Sequence, residues 1–185
     1  MKANRFLALT ITALVAFTQA SRAAEALSAD NQAKVDAKLK VIQAWAADPA
    51  VLKALKAHNG GVSADQAAMN QDKWKSLTVL DPFVRSFSKN EAGEFLKAKK
   101  DESVSEAFLS GVDGTKVAFL AKPTNWSHKG KAKHDEPVAG KTWQGPVEVD
   151  ESTGLQQVQV AVPVIDGGKS IGSLVVGLSV SKLGK

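Results

Sequence analysis

Residues 157–178, QVQVAVPVIDGGKSIGSLVVGL, restrict the chain more than any other stretch. Valine recurs at every second position up to a Gly-Gly pair, and apolar residues resume after it. A period of two marks an extended strand with one buried face, and two glycines accept the positive φ that a two-residue hairpin turn demands. A hairpin over residues 155–180 turning at Gly167 and Gly168 is therefore expected. With that turn Asp166 faces Lys169, and Val164, Val162, Val160 and Val158 stand opposite Ile171, Ser173, Val175 and Gly177 as a β-branched core surface. The reverse face pairs Pro163 with Gly172, Ala161 with Leu174, Gln159 with Val176 and Gln157 with Leu178. Its two amides sit among small residues, which suits either a solvated sheet face or the floor of a pocket, because an amide both donates and accepts.

The first half of the chain carries the other period. Val35, Leu39, Ile42 and Trp45 recur at spacings of three and four, giving one amphipathic helix over residues 28–47. Asp48-Pro49 starts a second, closed by the glycines at 60 and 61, and Asp81-Pro82 starts a short helical turn. Ser63 with Gln66 and Ser88 with Glu91 have capping-box spacing, opening helices to about residue 77 and residue 100. Beyond residue 100 the pattern turns to short apolar runs at 104–109, 116–121 and 142–149, the first two joined through Asp113-Gly114. Residues 122–137 have neither period over most of their length and read as a long loop with one short helix, a feature that is often functional. The fold class is α+β: a helical half packed on about five antiparallel strands.

Residues 1–23 read as a secretory signal. Lys2 and Arg5 precede an apolar run over residues 6–17, and small residues then permit cleavage after Ala23, with Ala20 and Ala26 as alternative cuts and an uncleaved anchor as the other reading. The run falls short of the roughly 20 residues a membrane-spanning helix needs. Of 185 residues, 23 would be removed, leaving 162 as a single exported domain, helical over 28–100 and sheet over 104–181, in the periplasm or secreted. Losing Lys2, Arg5 and Arg22 lowers the formal charge from +5 to +2, and the remaining lysines are scattered, so nucleic acid is not an expected partner. The absence of cysteine excludes thiol catalysis and thiolate metal sites.

Three stretches, VDGTKVA at 112–118, GPVEVDESTG at 145–154 and QVAVPVIDGGKSIG at 159–172, resemble the Cache family of extracytoplasmic, PAS-like sensor domains. The resemblance spans residues 74–183. It implies a long N-terminal helix on one side of a five-stranded antiparallel sheet and a small-molecule pocket on the other, roofed by the long loop. It also implies binding of an organic acid or amino acid, reported to a membrane sensor kinase or chemoreceptor. Two departures stand out: residues 125–130 read NWSHKG where the family has an aromatic pair followed by Gly-Asp, and the sequence ends at Lys185 without a membrane span or signalling domain.

The expected ligand-binding residues are Phe119, Lys122, Trp126, His128, Trp143, Gln157 and Gln159: aromatic walls, cations for a carboxylate and the two amides. Lys116 and Lys129 are further cationic candidates. His128, His134, Asp135 and Glu136 have metal-ligand chemistry but no recognised ligand spacing, so no metal and no cofactor are expected. No arrangement of nucleophile and base emerges, and no enzymatic activity is expected. The competing expectation is a module without a small ligand, whose first helix forms a homodimer or docks to a membrane sensor.

Overall fold

The computed structural model describes residues 26–149 and 156–184; the proposed signal segment lies outside them. Six helices come first, α1 (Ala29–Ala46), α2 (Pro49–Gly60), α3 (Ala64–Ala67), α4 (Gln71–Ser76), α5 (Pro82–Lys89) and α6 (Glu91–Lys99). Strands β1 (Val104–Gly111) and β2 (Lys116–Phe119) follow, then α7 (Ala132–Val138), β3 (Trp143–Val149), β4 (Gln156–Asp166) and β5 (Lys169–Ser179). All neighbouring strands are antiparallel, in the order β2-β1-β5-β4-β3. This is the expected α+β, PAS-like arrangement. No helix among the described residues is long and apolar enough to cross a membrane.

Local chemistry accounts for most helix boundaries. The Ser28 hydroxyl accepts from the Asn31 amide at 3.2 Å to open α1, and Asp48 and Asp81 cap helices that begin with proline. The Ser63–Gln66 capping box forms, but its helix stops at Ala67 and Asn70 caps a new one. The Ser88–Glu91 box does not form. Asn90 takes its place, its Oδ1 accepting from the Gly93 amide at 2.8 Å while its Nδ2 donates to the Val117 carbonyl at 2.8 Å, so one side chain starts α6 and ties it to β2. A Cβ at Gly93 would lie 2.5 Å from the Phe87 carbonyl oxygen, a contact that only glycine permits where α5 turns into α6.

The two sheet faces carry two separate cores. Val158, Val160, Val162 and Val164 of β4 join Leu174, Val176 and Leu178 of β5 under Val35, Ile42, Val51, Leu55 and Leu96 of the helical layer. On the opposite face Trp74, Val84, Phe87, Phe108, Phe119 and Trp126 form an aromatic cluster with Ala161 and Val175. The β4 faces are those expected, but the β5 faces are exchanged. Asp166 does pair with Lys169 and Ile165 with Ser170, after which a bulge at Ile171 makes Val164 face Gly172 and Val160 face Val176. The bulged register requires glycine at 172, where a Cβ would meet the Ser110 carbonyl oxygen at 2.4 Å and a Leu55 methyl at 2.7 Å.

Candidate functional site

On the face away from α1, a cavity of about 570 Å³ opens above the sheet. Gln157 and Gln159 of β4 and Ser105, Glu106 and Phe108 of β1 form its floor. Residues Ala121 to Asn125 and His128 of the long loop, with Lys133 of α7, form the roof, and Glu148 and Val149 of β3 close one side.

The floor depends on a missing side chain. β1 and β4 are separated by β5, so their backbones are about 10 Å apart at the usual strand spacing. The β5 residue between Glu106 and Gln159 is Gly177. Without a side chain there, Glu106 and the glutamines meet above it: Gln159 Nε2 donates to Glu106 Oε1, and the Ser105 hydroxyl donates to Gln157 Oε1 at 2.7 Å. A second bulge, between Val104 and Glu106, turns both Ser105 and Glu106 toward the cavity. Lys133 Nζ closes the chain by donating to Gln159 Oε1 at 2.7 Å. The result is a carboxylate, two amides and an ammonium in one hydrogen-bonded line.

Of the seven residues expected from sequence, Lys122, His128, Gln157 and Gln159 line the cavity. Phe119, Trp126 and Trp143 do not. Phe119 stacks on Phe87 at 5.5 Å, Trp126 lies 5.1 Å from Trp74, and Trp143, half-buried, packs on the same aromatic cluster. The cause is Trp74, whose indole N–H donates to the Pro123 carbonyl at 2.7 Å; it pins the loop over α4 and draws the neighbouring rings into a core. Lys122 instead holds its ammonium 4.6 Å from the Trp74 ring centroid, a cation–π contact at the cavity edge. Lys129 is exposed, and Lys116 is wholly buried behind the wall. The four weighed as metal ligands are engaged separately: His128 with Lys116, His134 with Ser173, Asp135 with the Gly130 amide and Glu136 with Lys141.

The strand order, with the helical layer on one face and the cavity on the other, carries the fold assignment. No family model and no curated protein matches the chain. The chain is similar to Cache-type sensor domains. The Vibrio cholerae histidine kinase DctB sensor domain superposes with a TM-score of 0.49 at 15% identity, covering 82% of this chain and 53% of that one. The Pseudomonas aeruginosa amino acid chemoreceptor PctC ligand-binding domain, in complex with GABA, gives 0.48 at 14%, covering 84% and 57%. The Campylobacter jejuni chemoreceptor Tlp3 sensory domain, with isoleucine bound, gives 0.44 at 15%, covering 83% and 57%. The chain thus spans little more than half the length of these domains.

Electrostatics at the site are dominated by buried bases. Lys116, 0% exposed, is pushed down to about 7 by burial and by the nearby charge of Lys133, against the opposing pull of Asp113 and Glu106. His128 falls to about 3, through burial first and then Lys116, Lys133, His134 and Lys131. Lys133 and His134 are also lowered, chiefly by burial. Glu106, Lys133, Ser105, Phe108 and Glu148 were missed in the sequence. A partial signal was present: an isolated glycine in a strand pattern, as at Gly177, marks a bulge or a close approach of other groups.

Proposed function

We propose that this chain is an exported ligand-binding sensor domain that captures a small anionic metabolite, an organic acid or amino acid, in the cavity above Gln157 and Gln159. The observation that carries the reading is the hydrogen-bonded line Glu106–Gln159–Lys133 at the floor of an open 570 Å³ space. Volumes of this order suit a small organic ligand, and a few convergent polar groups on a rigid sheet fix its orientation. Lys122 and Lys133 supply cations for a carboxylate, and Glu106 and Glu148 supply anions for an ammonium, so the lining accommodates an amino acid as well as a simple acid. Binding favours one arrangement of the roof or of α1, and a partner such as a membrane kinase or chemoreceptor reads that shift. The event requires unequal affinity for the two arrangements, with no chemical step.

A thermal-shift screen of organic acids and amino acids tests the reading. A ligand at 100 times its dissociation constant stabilises the folded state by about 2.7 kcal/mol, a rise of roughly 5–10 °C for a chain of this size. The response should disappear in Gln159→Ala and Lys133→Ala, which sever the floor's hydrogen bonds. A screen in which no compound moves the melting point, or a hit that both variants retain, overturns it.

A further inference from the structure

Behind the cavity wall lies a buried base, Lys116, that meets the lining at His128. The Lys116 ammonium donates to the Ser110 hydroxyl at 3.1 Å and meets His128 Nδ1 at 2.5 Å, and it stands 4.8 Å from the Phe108 ring centroid. Phe108 also stacks on the His128 ring, centroids 4.7 Å apart and planes 14° apart, which holds the imidazole flat against the β1 side of the site. His128 is 4% exposed, borders the cavity, and its Nε2 has no hydrogen-bond partner among the described residues. No carboxylate among the described residues forms an ion pair with Lys116.

While Lys116 is protonated, the chemistry of the pair leaves one arrangement. An ammonium has donors and no acceptor, so Nδ1 must offer its lone pair, and the single proton of a neutral imidazole then resides on Nε2. The low pKa of His128, about 3, keeps the ring neutral. Nε2, on the other side of the ring from the Lys116 contact, is the nitrogen left free for the cavity that His128 borders.

We infer that Lys116 is a positioning residue: by donating to Nδ1 it fixes His128 with its proton on Nε2, presenting to the cavity an N–H donor backed by an unpaired buried cation, which is matched to a carboxylate oxygen. This deepens the function proposed above and rests on it for the identity of the ligand's group. The arrangement explains why a lysine sits where an apolar residue would pack more cheaply. It also assigns the oxygen-binding end of the site to the His128 side of the cavity. The groups whose charge acts on the pair are Glu106 from β1, Asp113 from the β1–β2 turn, and Lys131, Lys133 and His134 at or in α7. Above the Lys116 transition near 7 the amine gains a lone pair and the constraint on the ring relaxes.

The test reads the ring directly. In ¹⁵N-labelled wild-type protein at pH 6, long-range proton–nitrogen correlation should give His128 a protonated Nε2 and an unprotonated, hydrogen-bonded Nδ1. Titration with acetate, the simplest carboxylate, should move the Nε2–H signals. Lys116→Met, unbranched and apolar, should mix the two tautomers and weaken acetate binding about tenfold or more, a loss in the range of one charge-assisted hydrogen bond. Wild-type protein with the proton on Nδ1 overturns the inference without any variant. So does a protonated Nε2 that ignores acetate, or a variant that keeps both the tautomer and the affinity. Failure of the metabolite screen with His128 still responding to acetate instead counts against the sensor reading alone.

Discussion

The Lys116→Met substitution also makes a stability prediction whose size follows from burial. In the unfolded chain Lys116 holds its proton up to the ordinary value of 10.5, whereas in the fold it releases it near 7. Between those values the unfolded state binds more protons, so wild-type stability climbs as pH rises, and the cost of the buried charge is fully felt only at or below neutrality. At about 1.36 kcal/mol per pKa unit, that cost is on the order of 4 kcal/mol at pH 7 and about 2 kcal/mol at pH 9. Methionine removes it. The variant also loses the hydrogen bonds to Ser110 and His128, a penalty of roughly 1–3 kcal/mol for each group left without its partner, but that penalty does not vary across this window. The informative quantity is therefore the change in the gap between variant and wild type. Urea unfolding at pH 7 and pH 9 should show Lys116→Met losing about 2 kcal/mol of relative stability over those two pH units. A gap that stays constant with pH would mean that the ammonium is solvated in the folded protein, and the argument from its burial would fall.

Three further outcomes are expected. Gly177→Ala places a methyl group 2.7 Å from Glu106 Cγ and from the Ser105 hydroxyl and 2.8 Å from Gln157 Oε1; it should cost about 1–3 kcal/mol in chemical denaturation and abolish any thermal shift from the metabolite screen. Trp74→Ala, which removes a fully buried ring touching Phe87, Phe119 and Trp126, should cost about 3–5 kcal/mol by the same measurement. The Asp113 carboxyl is opposed in ionising by burial, but hydrogen bonds from His58 and Thr115 outweigh this and hold it well below its ordinary 3.8. Its contribution is present above 3.8 and is lost as pH falls, so Asp113→Asn should melt below wild type at pH 7, with the two curves converging toward pH 2.

What could be read from the sequence was what neighbours in sequence decide. The hairpin turn, α1 and the proline-led helix starts depend on residues within a turn of one another, and they form as their composition implies. Apart from the break between Ala67 and Gln71, where Asn70 caps a new helix, the differences arise where a distant element intervenes. Ser88 and Glu91 have the right spacing for a cap, but Asn90 can reach the Val117 carbonyl as well, and a side chain that serves two elements displaces one that serves a single helix. Phe119, Trp126 and Trp143 have the composition of a pocket wall, yet Trp74, more than 40 residues before Trp126, gathers them into the aromatic core. Glu106 and Lys133 reach the cavity through a bulge and a helix start with no side-chain cap, neither of which has a composition signature.

The cavity itself follows from one residue of register. Had β4 and β5 paired without the bulge at Ile171, Leu174, Val176 and Leu178 would share a face with Ala161, Gln159 and Gln157, and three large apolar side chains would fill the space above the amides. The bulge sends those three to the helical core and brings Ser173, Val175, Gly177 and Ser179 to the other face. Ser173 then receives His134, Val175 supports the aromatic cluster, and Gly177 leaves the gap through which β1 and β4 side chains join. In this register a side chain at Gly172 would run into the Ser110 carbonyl oxygen at 2.4 Å and a Leu55 methyl of the helical layer at 2.7 Å. Glycine at 172 thus lets α2 pack closely on one face in the same register that keeps the other face open above the amides.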